Sequence, residues 1–256
     1  MNGEAQPDVL AKPRREAEAN LTGRLAANPY PGRGLVLGKA EHGGLLVQVY
    51  WIMGRSANSR NRVFESDGKR VWTAPADPAR VKDPSLIIYS ALRELHGVFV
   101  VTNGDQTDTI CQTILHGGTF EQALVTRAYE PDPPNFTPRI SGILDLRRGQ
   151  PLAKLSLLRR SRFGEATDRF LWVYEDLAPG LGYCLTTYMG DGDPLPAFEG
   201  EPFLVPLLGD LGCIANTLWA NLNDDNKVAL CAKAIEPAAL DSEVVILNKY
   251  QKKEAE

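Results

Sequence analysis

The nine residues Gly54-Arg-Ser-Ala-Asn-Ser-Arg-Asn-Arg62 carry three guanidiniums and two hydroxyls, and they directly follow the apolar run Leu45–Met53. Arginine presents a planar fork of donors that matches phosphate oxygens in pairs, and it stays charged at any relevant pH. At the end of a buried strand such a cluster suits the grip on a phosphate, although a solvated turn has the same composition. Three further polar islands accompany it. Tyr30-Pro-Gly-Arg-Gly34 sets Arg33 between glycines, which permit unusual dihedrals and close approach to the main chain; a plain turn into a strand would read alike. Asn103-Gly-Asp-Gln-Thr-Asp-Thr109 leads from a strand toward a helix N-terminus, where free N–H groups and the helix dipole favour an anion. Thr107 or Asp108 can equally cap that helix. Tyr129-Glu-Pro-Asp-Pro-Pro-Asn-Phe-Thr-Pro-Arg139 uses four prolines to stiffen a segment that presents Glu130 and Arg139. Glu130 is the carboxylate best suited to proton transfer, since it follows an aromatic residue and can be partly desolvated. Tyr89 is either a core tyrosine or a catalytic hydroxyl.

The rest of the chain must position these islands. Leu35–Leu37 and Leu45–Met53, joined through Glu41-His-Gly-Gly, read as a β-hairpin. Val63–Phe64 and Val71–Thr73 flank Ser66-Asp-Gly as a second one. Short β-branched runs at Leu86–Tyr89 and Val98–Thr102 predict further strands. Helical spacing marks Asp108–Leu115, a capping box at Thr119-Phe-Glu-Gln122 precedes Ala123–Arg127, and Leu211, Ile214, Ala215, Leu218, Trp219 and Leu222 form the apolar stripe of a third helix. Strands resume at Phe170–Tyr174, Tyr183–Tyr188, Val228–Ile235 and Val244–Leu247. The sum is strand-rich with two blocks of helix, an α+β chain. Residues 1–28 read as an N-terminal extension holding a short surface helix, residues 29–250 as a single domain, and residues 251–256 as a charged tail.

Bulk composition narrows the function. The 256 residues are 43% apolar and 23% charged, as in ordinary globular proteins. A net charge of −4 with scattered basic residues argues against nucleic acid as a partner and favours a small anionic ligand. No apolar run reaches the roughly 18 residues that span a bilayer, and Met1-Asn-Gly-Glu-Ala-Gln-Pro lacks the order of a secretion signal. Cys111, Cys184, Cys213 and Cys231 form no Cys-x-x-Cys pair and the three histidines are isolated, so the spacing offers no metal site, and free thiols fit a cytoplasmic location. Nucleophile elbow, P-loop and dinucleotide fingerprint are all missing.

Taken together, Tyr30-x-Gly-Arg33, Arg55-Ser56 with Arg60, Asp83-Pro84 with Tyr89, Asn103-Gly104-x-x-Thr107-Asp-Thr-Ile110, and Tyr129-Glu130 with Thr137-Pro-Arg-Ile140 resemble the archaeal-type IMP cyclohydrolase family over about residues 30–145. The resemblance implies a four-layer αββα sandwich akin to the N-terminal-nucleophile hydrolases, without self-processing. It implies a purine ribonucleotide as ligand, no cofactor, and a homo-oligomer, with tetramers in the family. The reaction implied is closure of 5-formamidoimidazole-4-carboxamide ribonucleotide to IMP with loss of water. On that reading Arg33, Arg55, Ser56 and Arg60 hold phosphate and ribose, with Thr107 and Asp108 also at the ligand. Asn103 and the Gly104 N–H orient the carboxamide or the developing oxyanion. Tyr89 and Glu130 share the proton transfers, with Arg139 fixing Glu130. Two departures stand out: Asp105-Gln106 replaces a Ser-His of archaeal members, and the loop after Glu130 is about one residue longer. They leave open a non-catalytic purine-nucleotide binder, or an enzyme acting on a related formamide.

Overall fold

The computed structural model of the protein describes residues 8–81 and 88–253. The expected Asp83-Pro84 motif and the first half of the expected strand at Leu86–Tyr89 lie outside the described residues. The chain opens with helix α1 (Ala11–Asn20), continued by a π-helical turn at Leu21–Ala26, then forms β1 (Gly34–Lys39), β2 (Leu46–Met53), the short helix α2 (Ala57–Arg60), β3 (Arg62–Ser66) and β4 (Val71–Pro75). It continues through β5 (Ser90–Leu95), β6 (Val98–Thr102), α3 (Gln106–Leu115), α4 (Phe120–Val125), β7 (Arg139–Asp145), β8 (Leu152–Arg160), β9 (Thr167–Tyr174) and β10 (Leu181–Thr186). Its last elements are β11 (Phe203–Pro206), α5 (Leu211–Ala220), β12 (Lys227–Ile235) and β13 (Ser242–Asn248).

These strands build two antiparallel sheets, a six-stranded one ordered β11-β10-β1-β2-β12-β13 and a seven-stranded one ordered β3-β4-β5-β6-β7-β8-β9. The α+β expectation is met, and both expected hairpins form as the β1–β2 and β3–β4 pairs. Every residue of β2 is buried, as befits a central strand covered on both faces. One large apolar cluster joins the sheets, drawing Tyr50 and Ile52 from one and Phe99 and Leu155 from the other. Polar links cross the same gap: Gln48 Nε2 donates to the Phe99 carbonyl at 3.0 Å. A Cβ at Gly142 would lie 3.0 Å from a Leu37 methyl, so bare backbone lets the sheets approach there.

A second apolar cluster seats α3 and α4 on the seven-stranded sheet, through Ile110, Ile114, Phe120 and Leu124 against Val98, Val100, Ile143 and Leu158. Thr119 and Gln122 make the reciprocal capping box expected at the start of α4, with bonds of 3.2 and 2.8 Å. Helix α5 turns the expected stripe, Leu211, Ile214, Ala215 and Leu218, into the core. Helix α1 lies along β11, the edge of the six-stranded sheet, with Ala17 buried and Asn20 Nδ2 donating to the Leu204 carbonyl at 3.0 Å. Covering an edge strand in this way blocks stray pairing. Among the described residues, no helix is long and apolar enough to cross a membrane.

Candidate active site

The four polar islands converge at the ends of the two sheets. Arg33 arrives on the segment entering β1, and its position depends on both neighbouring glycines. Gly32 has φ of +74°, and a Cβ there would lie 2.2 Å from Thr187 Oγ1; a Cβ on Gly34 would sit 1.9 Å from the Trp51 ring. The backbone N–H of Arg33 donates to Thr187 Oγ1 at 3.1 Å. Its guanidinium then faces Glu130, with Nη1 3.6 Å from Oε2.

Glu130 is almost fully buried. The segment that carries it is strapped by Asp132, whose carboxylate accepts from the Thr137 N–H at 2.7 Å and the Thr137 hydroxyl at 2.5 Å. Asn135 Oδ1 accepts from the Leu195 N–H, and the Thr137 and Tyr188 hydroxyls lie 2.6 Å apart. Burial pushes the Glu130 carboxyl above its ordinary value, with Arg33 and Arg139 offsetting only part of that cost. For Arg33 burial works against the charge, but Glu130 and the hydroxyls of Tyr89, Tyr50 and Tyr188 hold it well above its ordinary range.

Beside this pair lies Arg62, with no exposed surface. Its Nε donates to the Ser59 carbonyl at 2.9 Å and its Nη2 reaches the Met53 carbonyl at 3.5 Å, but its Nη1 has no partner among the described residues. Arg33 Nε and Arg139 Nε are likewise unpartnered. Burial lowers the pKa of Arg62, the cost of an uncompensated cation in a dry site. The hydroxyls of Tyr50 and Tyr89 meet at 2.6 Å nearby, and burial together with Tyr89 pushes the Tyr50 phenol well above its ordinary range.

In front of these groups opens a cavity of about 260 Å³ whose wall includes Tyr30, Arg33, Arg55, Ser59, Arg62 and Tyr188. Three buried guanidinium N–H groups without acceptors, two of them on residues of this wall, make it a receptor for an anionic or carbonyl-bearing ligand. Arg55 stands at the mouth, half exposed over the Tyr30 ring, with Nη1 2.6 Å from Asp191 Oδ1 and 2.8 Å from the Gly192 carbonyl. Ser56 lines the cavity while capping α2, its hydroxyl accepting from the Ser59 N–H at 3.1 Å.

The other expected residues divide. Arg60 turns away: its Nε donates to the Gly54 carbonyl and its Nη2 to Asn226 Oδ1, and it lines a wider groove of about 910 Å³ across α2. Arg62, two residues on and the first residue of β3, is the guanidinium that points inward. Asp108 is half exposed and pairs with Arg93 at 2.9 Å, away from the cavity. Thr107 is buried, its hydroxyl bonded to Thr102 Oγ1 and the Ser90 carbonyl, both at 2.6 Å. Asn103 is committed to structure: Nδ2 donates to the Pro138 carbonyl, and Oδ1 accepts from the Ile140 N–H and from Gln106. The Gly104 N–H donates to Thr102 Oγ1 at 3.2 Å. Arg139 pairs with Asp105, 2.7 Å away, instead of contacting Glu130. Tyr50 and Tyr188 lie outside the polar islands, whereas Arg62 closes the arginine-rich island and turns inward where Arg60 was expected. The alternation of Tyr50 and Ile52 along β2 places a polar tip in the inter-sheet face, which is the signal that was available.

A two-sheet α+β fold that gathers buried arginines, a paired carboxylate and a tyrosine cluster beside one cavity has the make-up of a protein that takes a small anionic ligand. The chain belongs to a known family on sequence as well: the IMP cyclohydrolase-like protein family model matches residues 30–239. Its relatives include an IMP cyclohydrolase of Methanopyrus kandleri, 36% identical over 120 residues, which are 45% of this chain and 59% of the relative. One of Methanococcus maripaludis is 37% identical over 120 residues, 45% of this chain and 58% of the relative. One of Methanococcus aeolicus is 29% identical over 164 residues, 62% of this chain and 74% of the relative. The chain thus spans less than two thirds of the length of the first relatives it matches.

Proposed function

We propose that the protein closes 5-formamidoimidazole-4-carboxamide ribonucleotide to IMP. The carboxamide nitrogen attacks the formyl carbon, and the resulting carbinolamine loses its hydroxyl as water. An amide nitrogen is a weak nucleophile, so the enzyme's task is to press the two arms together, stabilise the oxygen that gains charge and move two protons. The observation that carries this reading is the Arg33–Glu130 pair set beside the unpartnered Arg62 Nη1 and the Tyr50–Tyr89 hydroxyls.

In this mechanism Glu130, kept basic by burial, removes the proton from the attacking nitrogen, and Arg33 and Arg62 receive the developing oxyanion. Tyr89 relays a proton to the departing oxygen, with Tyr50 as its hydrogen-bond partner. Arg55 and Ser56 take the phosphate at the mouth, where it would replace the Asp191 carboxylate now on Arg55. Asn103 and Gly104 shape the floor by fixing Gln106 and the start of α3. Arg60, Thr107 and Asp108 act on the ligand only through the elements they brace.

The reading also carries the finer architecture implied by the resemblance, a four-layer αββα sandwich of the N-terminal-nucleophile hydrolase type over residues 29–250. The helices seated on both sheets support it. It further carries a cytoplasmic enzyme, in keeping with the buried free thiols Cys111, Cys184 and Cys231, and a homo-oligomer, a tetramer as the family resemblance implies. The exposed Phe170, Leu171 and Val173 on edge strand β9 offer a surface for it, which sedimentation tests.

Incubating the purified protein with the formamido ribonucleotide and following IMP by absorbance and chromatography tests the function. Product formation that Glu130→Gln abolishes supports it. Tight binding of IMP with no product selects a non-catalytic nucleotide binder, and turnover of another formamide selects a related cyclase.

A further inference from the structure

Asp105 and Gln106 stand at the head of α3, and both reach back to β7. Arg139 Nη1 lies 2.7 Å from Asp105 Oδ1 and 2.7 Å from Gln106 Oε1. The other oxygen of Asp105 accepts from Arg127 Nη2 at 2.5 Å. Gln106 is fully buried, and its Nε2 donates to Asn103 Oδ1 at 2.9 Å and to the Ile140 carbonyl at 3.2 Å, which turns Oε1 toward the arginine. A Cβ on Gly104 would lie 2.6 Å from Arg139 Nη1, 2.7 Å from Gln106 Oε1 and 3.6 Å from Glu130 Oε1. The three groups therefore gather over bare backbone.

The charged groups facing Glu130 come from every side: Arg33 from the entry to β1, Arg139 from β7, Arg62 from β3 and Asp132 from its own segment. Tyr50, Tyr89 and Tyr188 surround Arg33. Two of the three arginines could pair with the carboxylate, yet Arg33 makes the ion pair and Arg139 is drawn to Asp105.

We propose that Asp105 is a positioning residue which, with Gln106, holds the Arg139 guanidinium off Glu130 and leaves the carboxylate to Arg33 alone. This deepens the function proposed above and rests on Glu130 being the base of that reaction. Arg127 and Arg139 outweigh burial and hold the Asp105 carboxyl below its ordinary value, so its negative charge is present wherever Glu130 works. That charge cancels part of the field of Arg139 at Glu130. Without it, Arg139 stabilises the Glu130 carboxylate more strongly and the carboxylate becomes a weaker base.

The test reads Glu130 directly, by carbon NMR of protein labelled at the glutamate carboxyl carbons, with the Glu130 signal assigned through its loss in Glu130→Gln. In Asp105→Asn the Glu130 titration midpoint is expected to fall by about half a pH unit or more, the effect of one nearby, partly screened charge. Asp105→Glu should restore it, and the acid limb of kcat/KM should follow. Asp105 is half exposed, so Asp105→Asn is expected to fold. If it does not, Arg127→Gln serves: it leaves the Asp105 charge undivided on Arg139, and the midpoint should rise. A midpoint that stays put or moves oppositely in the variant measured overturns the proposal. Because the NMR midpoint needs no turnover, a wild-type protein that makes no IMP removes the functional reading while leaving this one to be decided on its own.

Discussion

The hydroxyls of Tyr50 and Tyr89 lie 2.6 Å apart, one carried by β2 of the six-stranded sheet and the other by the residue preceding β5 of the seven-stranded sheet. The contact bridges the two sheets beside Arg33 and Arg62. A buried hydroxyl pair of this kind can pass a proton in either direction, since each oxygen is both donor and acceptor. On the proposed reaction it would supply what the Arg33–Glu130 pair lacks, a neutral acid to accompany the base.

The two tyrosines should not be equivalent. If Tyr89 donates to the departing oxygen, Tyr89→Phe removes general acid catalysis and kcat should fall about 10²- to 10⁴-fold. Tyr50→Phe removes only the partner, leaving the Tyr89 hydroxyl in place, and kcat should fall about tenfold, as expected for one hydrogen bond. Steady-state rates for both variants check this. Equal losses would make the pair a single unit, and near-normal turnover of Tyr89→Phe would remove it from the chemistry.

On the proposed reaction, Glu130 would set the low-pH limb. As the base it must be ionised, and burial raises its pKa above the ordinary 4.5. Activity should accordingly be full at high pH and lost as pH falls through that raised value, so the acid limb of kcat/KM lies above 4.5. Arg33→Met removes the cation in contact with it and should carry the limb to still higher pH. A pH profile of the wild type and this variant is sufficient; a limb that moves down would assign it to another group.

The sequence makes some of this legible and hides the rest for physical reasons. The elements with strong local signals appear where expected: the β1–β2 hairpin, the capping box at Thr119 and Gln122, and the stripe of α5. Strand β5 lies at Ser90–Leu95, later than the apolar run suggests, because polar Arg93 and Glu94 interrupt its alternation. Strands β7 and β8 carry no strong local signal: β7 begins with the charged Arg139, which only its bonds to Asp105 and Gln106 explain, and carries Gly142, which only contact between the sheets explains. Among site residues, the island around Arg33 was readable because its glycines mark tight backbone. The choice between Arg60 and Arg62 was not, since which guanidinium points inward depends on where α2 ends and β3 begins.

Arg55 should bind ligand better when its present partner is removed. Its pair with Asp191 joins two half-exposed groups, and exposed pairs contribute about 1 kcal/mol or less. A phosphate arriving at the cavity mouth must displace that carboxylate. Asp191→Asn should thus lower KM by about two- to fivefold with kcat unchanged, whereas Arg55→Ala should raise KM by about tenfold or more through loss of a charge-assisted bond. A raised KM in Asp191→Asn would mean that the carboxylate presents Arg55 to the ligand instead of competing with it.

The two sheets are also tied by a buried charge pair whose worth lies in its completeness. Lys233 on β12, paired in register with Gln48, is only 1% exposed and makes a salt bridge with Glu94 on β5; the same carboxylate accepts from the Ser242 hydroxyl, and the ammonium donates to the Lys69 carbonyl at 2.9 Å. Taking two charges out of water is costly, and their attraction roughly offsets that cost only while both are present. Lys233→Met alone strands the Glu94 carboxylate, so the fold should lose about 3 kcal/mol, or roughly 6–12 °C in Tm for a chain of this size. Lys233→Met with Glu94→Leu leaves no charge behind and should recover most of the loss. Calorimetry of the single and double variants decides the matter: a double variant no more stable than the single would show that the pair contributes net stability, not merely mutual compensation.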